Sequence, residues 1–204
     1  PRGEQLSARG ALHLHAELYR SPFKNAAGLG WLFYTFCFVT TVTFLPAFIR
    51  EDIRVAVAAA MPIVSIVASM TVGVVLISLV GAVRGTQIAF AFAGLMAAAL
   101  IWFPGQVTLA LLLLAGLGII QGASFAIVPE LNASLEDRAQ ANGAMAQMGN
   151  VGNAVGTPVI AALLSGMGYG AMIVALSFAL FCGVAVHIWM AARRRRLPEA
   201  RAAP

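Results

Sequence analysis

Between Arg138 and Arg193 the chain carries no Asp, Glu, Lys or Arg. That run is more than twice the ~20 residues a helix needs to cross a hydrocarbon core. It therefore reads as two successive membrane-crossing helices, over 139–166 and 170–192. The first of them is not plainly greasy. Asn142, Asn150, Asn153 and Thr157 follow one another at helical spacing and lie on one face. Gly149, Gly152 and Gly156 form a second stripe about 100° round. Lipid has no use for either stripe. Glycine admits a neighbouring backbone, and buried amides need hydrogen-bonding partners. The expectation is a helix inside a bundle, with a packed neighbour on one side and a polar cavity on the other.

The rest of the chain supplies the wall. The residues are 60% hydrophobic and 10% charged, with a mean hydropathy of +0.87. Soluble domains carry about 25% charge, so this is an all-α, multi-pass membrane protein; the apolar runs are unbroken rather than alternating. A net charge of +5 does not indicate nucleic acid, because the basic residues cluster at helix ends and tails. Cys37 and Cys182 sit in apolar runs and read as small hydrophobes. The chain opens on Pro1 and a polar stretch with no visible signal peptide, and reads as a piece of something longer.

The organisation is a basic segment over 1–25, a six-helix bundle over 26–192 and a basic tail over 193–204. The first segment has a weak amphipathic stretch around Leu14 and Leu18. Its His13 and His15 point to different helical faces, with no partners to complete a metal site. Helix one, 26–49, carries Trp31, Tyr34, Phe38, Thr41 and Leu45 on one face. That stripe suits either packing with an interfacial Trp or a substrate wall. Helix two, 57–83, contains Pro62 and a small-residue stripe of Ser65, Ser69 and Gly73 suited to close approach. Helix three, 86–103, is nearly featureless and is expected at the lipid-facing periphery. Helix four, 107–131, places Gln121 between Gly118 and Gly122 near mid-membrane, where an amide still wants a partner. His187 near the end of helix six reads as an interfacial histidine rather than a proton relay.

Eleven of the thirteen Lys and Arg residues fall on the side of the two tails and the even-numbered loops; Arg50 and Arg54 fall on the other. The positive-inside rule puts both tails in the cytoplasm, in a cytoplasmic or inner membrane. The sequon at Asn132-Ala-Ser134 is then on the wrong side for glycosylation.

A basic linker, six helices and a basic tail resemble the C-terminal half of a major facilitator superfamily transporter. Gly81-Ala-Val-Arg84-Gly85 is similar to a degenerate form of that family's cytoplasmic loop motif, with Gly85 at the acidic position. Glu130 and Arg138 sit where many members carry a helix-end Glu and a loop Arg. The run from Gly149 through Gly152 and Gly156 to Thr157 and Pro158 resembles the family's glycine-and-proline helix. The resemblance implies two inverted three-helix repeats, pairing helix one with four and two with five. It implies that Tyr34, Phe38, Thr41, Gln121 and Phe125 surround a small-molecule substrate, joined by Asn150 and Asn153. It implies packing or hinge roles for Ser69, Gly73, Gly149, Gly152, Gly156 and Pro158. Arg84, Glu130 and Arg138 would form a cytoplasmic gate, and a second, N-terminal six-helix half would complete the path. No cofactor, metal or enzymatic motif is expected. No Asp or Glu lies at mid-membrane, so an ion-coupling group belongs in the other half. The competing reading is a six-helix subunit or scaffold that transports nothing.

Overall fold

A computed structural model describes residues 8–197. The expectations placed on Arg2, Arg201 and the end of the tail lie outside the described residues. Every regular element among the described residues is helical.

The amphipathic stretch forms α1 (Ala8–Arg20). Helix one is α2 (Ala26–Phe44), which tightens into a 3₁₀ turn at Leu45–Phe48. Pro46 sits at the start of that turn, where a missing N–H is least costly. The second span starts at Glu51, earlier than the apolar pattern suggests. Glu51 and Asp52 occupy its first turn, where carboxylates favour the unpaired N–H groups of a helix start. This span is α3 (Glu51–Ala68), a π turn at Ser69–Gly73 and α4 (Val74–Val80). It ends at Gly81, whose φ of +81° suits only glycine. The next helix, α5 (Ala82–Ala99), follows without a loop. After a turn comes α6 (Val107–Leu131), then α7 (Leu135–Arg195).

Gly168 breaks α7, with φ +81° and ψ −171° inside the helix. The contacts of the two limbs, 135–167 and 169–195, show what the break does. Trp31, Thr35 and Phe36 of α2 meet Gly149, Gly152 and Gly156 in the same order, so the first limb runs parallel to α2. Gly30, Cys37 and Phe48 meet His187, Leu176 and Tyr169 in reverse order, so the second runs antiparallel. The chain therefore reverses at Gly168, and among the described residues five helices are long and apolar enough to cross a membrane, the last of them folded back on itself. This is a multi-pass, all-helical membrane protein.

The helix α6 is the hub. Its Leu113, Leu114, Leu117 and Ile120 are fully buried with Phe90, Ile160, Met172 and Leu176. Close packing there is set by missing side chains. A Cβ on Gly118 would come within 2.8 Å of the Ser65 Cα, and one on Gly116 within 3.0 Å of the Ala93 Cβ.

The expectation of a peripheral third helix is corrected. α5 buries Ala89, Phe90, Ala93, Gly94 and Ala97 against α6 and the second limb of α7, and Gly85 against Leu76 and Ile77 of α4. The Ser177 hydroxyl donates to the Gly94 carbonyl at 3.0 Å, tying the limb to α5. The plain composition of α5 hid a stripe of small residues that works as a packing face. The span least covered by its own chain is instead α3–α4, where Ile63, Ile66, Val67, Met70, Val74 and Val75 are exposed.

Candidate functional site

The seam between α2 and the first limb of α7 is built on three glycines. Gly149, Gly152 and Gly156 are all buried and all face α2. A Cβ at Gly152 would collide with the Leu32 carbonyl and lie 3.1 Å from the Phe36 amide nitrogen. One at Gly156 would lie 2.9 Å from the Phe36 carbonyl oxygen, and one at Gly149 would lie 2.7 Å from the Trp31 indole nitrogen. Thr35 and Thr40, on the same helix, return their hydroxyls to carbonyls of their own helix. The seam is thus tight.

The amides lie elsewhere on the limb. Asn142, Asn150 and Asn153 are exposed and Thr157 is partly covered. On the other flank, Val151, Val155 and Val159 are exposed. The first limb therefore shows its surroundings one amide flank and one valine flank, on either side of the glycine seam. Asn150 and Asn153 sit near the middle of the limb, many residues from either helix end. Pro158 is exposed on the same limb.

The aromatic candidates form a ladder. The rings of Phe125 and Trp31 lie 5.0 Å apart, Trp31 and Tyr34 4.5 Å, and Tyr34 and Phe38 5.5 Å. Such distances are those of favourable aromatic pairs. The ladder joins α6 to α2 and emerges at Phe125, which is exposed. Tyr34 and Thr41 are buried inside the bundle, whereas Phe38 and Gln121 are partly covered. The Thr41 hydroxyl has no hydrogen-bond partner among the described residues. Trp31 is the member whose importance only the fold reveals, because it touches both Phe125 and Gly149.

The small residues of α3 meet α6 as the glycines of α7 meet α2. Gly118 packs on Ser65, Gly122 on Ser69, and Gly73 on Ile119. Ser65 and Ser69 take Gly118 and Gly122 in the same order, so these helices also run parallel. Gly73 and Ser69 therefore do sit at a helix contact.

No ion pair joins Arg84, Glu130 and Arg138 among the described residues. The Glu130 carboxylate accepts hydrogen bonds from the Ala82 and Val83 amides, capping the start of α5 just past Gly81. A carboxylate at a helix N-terminus satisfies unpaired donors and the helix dipole at once. Arg138 instead donates to the Asn132 carbonyl at 2.9 Å. Arg84 is exposed and lines a cavity with Glu130.

A pair that sequence reasoning missed lies nearby. Lys24 Nζ is 2.7 Å from Asp137 Oδ1 and 2.8 Å from Gln140 Oε1. Asp137 lies in the first turn of α7, ahead of its apolar run. The hydrogen bond from Lys24, then that from Ser134, holds its carboxyl below the usual range. Ser134 is the N-cap of α7 and accepts from the Asp137 amide at 3.0 Å. The S-x-x-D pattern at 134–137 was the available signal for that helix start. His187 is buried against Phe90 and over Gly30, whose missing side chain makes room for the ring. No group of three or more His, Cys, Asp or Glu is placed to hold a metal among the described residues. No protein-family model, curated protein or solved structure matches the chain.

Proposed function

We propose that this chain is one six-helix half of a secondary transporter of the major facilitator type, moving a small solute by alternating access. The observation that carries the proposal is the amide flank of Asn150 and Asn153, bare at mid-span. Taking an amide from water into alkane without a partner costs roughly 4–8 kcal/mol, so lipid tails are a poor cover for it. A water-filled path covers it without that penalty.

The packing supports the same reading. α2 runs parallel to the first limb of α7, and α6 runs parallel to α3, each pair meeting through small residues. That crosswise relation is what two inverted three-helix repeats produce when the first helix of each packs on the second helix of the other. In such an arrangement α2 and α6 line the path. The ladder from Phe125 to Phe38, with Gln121, then forms an uncharged aromatic wall suited to a neutral or amphiphilic solute. The bare apolar flank of α3–α4 and the outer flanks of α7 become surfaces for lipid and for the second half, on the same or another chain. The ion-coupling group lies in that half. The excess of Lys and Arg at the basic end supports a cytoplasmic position for both tails.

Cysteine labelling in membranes tests this. In the full-length protein with Cys37 and Cys182 replaced by alanine, Asn150→Cys and Asn153→Cys react with a membrane-impermeant maleimide. Val155→Cys does not. Equal reactivity of both flanks, or none at either asparagine, overturns the assignment and favours a filled scaffold interface.

A further inference from the structure

The basic end contains a cavity of about 440 Å³ between the start of α5, the end of α6 and the second limb of α7. We infer that it holds the phosphate of an anionic phospholipid headgroup. Three arginines, Arg84, Arg194 and Arg195, line it. Glu130 also lines it, but its carboxylate is engaged by the first amides of α5. The cavity is therefore positive.

Arg194 gives the site a fixed element. It is 8% exposed, and its Nη1 donates to the Pro22 carbonyl at 2.7 Å. A guanidinium carries several N–H donors and that bond uses one. No carboxylate lies within ion-pairing distance of Arg84, Arg194 or Arg195 among the described residues. Glu130 acts on Arg194 only through space and forms no ion pair with it; a largely buried cation without a paired anion is costly, and a phosphate meets that need with charge-assisted bonds in a geometry arginine favours.

The remaining lining separates a lipid from a soluble phosphate. Phe23, Val80, Val83 and Leu131 give the cavity apolar walls, which suit the glycerol and upper acyl chains. Depth agrees. Arg193 lies over the exposed Trp189 ring, 5.0 Å from its centroid, and Trp at a span end marks the headgroup layer. Basic pockets between membrane helices are established binding places for acidic headgroups.

The test uses the purified full chain in neutral detergent, titrated with phosphatidylglycerol, phosphatidylcholine or inorganic phosphate, with thermal unfolding and native mass spectrometry as readouts. Phosphatidylglycerol is expected to bind and raise the unfolding temperature, and phosphatidylcholine to do neither. In Arg84→Gln/Arg195→Gln the affinity for phosphatidylglycerol should fall about tenfold or more. Arg20→Gln/Arg196→Gln removes the same charge outside the cavity and should retain binding. Equal binding of the two lipids, or equal loss in both double variants, overturns the site. Protection by inorganic phosphate equal to that by phosphatidylglycerol overturns the lipid as its occupant.

Discussion

At the scale of single residues, Gly152 shows how an absent side chain acts. Its Cα faces backbone atoms of α2, so even a methyl group has nowhere to go. Overpacking costs roughly 1–3 kcal/mol where neighbours can shift, and more where they are backbone. Gly152→Ala should lower the unfolding temperature markedly. Gly143→Ala, on the same limb with nothing near the added carbon, should leave it unchanged or slightly raised, since alanine favours helix. Equal effects would show that the seam is looser than described. Asp137 is a second case. Its carboxyl is held below its ordinary value by Lys24 and Ser134, so the charged form is favoured in the folded chain. The contribution is present above the ordinary carboxylate pKa and is lost as pH falls through the lowered one. Protection of the Lys24 and Asn25 amides, relative to the intrinsic exchange rate at each pH, should therefore hold from neutral pH into the mildly acidic range and fall only below it. Asp137→Asn should lower that protection where Asp137 is charged and make no difference below that range. An onset near neutral pH would mean that another group holds the linker.

At the scale of elements, one residue turns a single long helix into two crossings. Gly168 adopts φ +81° and ψ −171°, a region open essentially to glycine alone. Gly168→Ala should destabilise the protein by about 1–3 kcal/mol, measured by thermal unfolding. Gly166→Ala, also without close neighbours but at an ordinary φ, should not. The sequence run from Gly166 through Gly168 to Gly170 marked the turn region without saying which glycine bends. Helix starts were less legible. Glu51, Asp52, Ser134 and Asp137 lengthen the second and fifth spans by capping their first turns, which hydropathy alone does not register. The packed face of α5 was hidden for a related reason: alanine and glycine read as featureless until a partner such as Phe181, over Gly94, fills the space they leave.

At the scale of the molecule, the contrast between the amide and valine flanks of α7 is what the maleimide experiment reads. No single side chain decides it; the surroundings of the whole limb do. Composition and charge spacing were enough to determine a multi-pass helical protein with its basic residues gathered at one end, since a bilayer admits few other ways to satisfy the backbone. Helical periodicity was also enough to separate a glycine stripe from an amide stripe. Which helix the glycines would touch was not in the sequence, because Leu32 and Gly152 are 120 positions apart and any small-residue stripe admits any backbone. The fate of Glu130 was likewise open. Arg84, Arg138 and the free amides of α5 all compete for one carboxylate, and only the sharp turn at Gly81 brings the amides within reach. Local pattern determines what each face can tolerate. Tertiary packing decides which neighbour satisfies it, because that choice rests on distances between segments far apart in the chain.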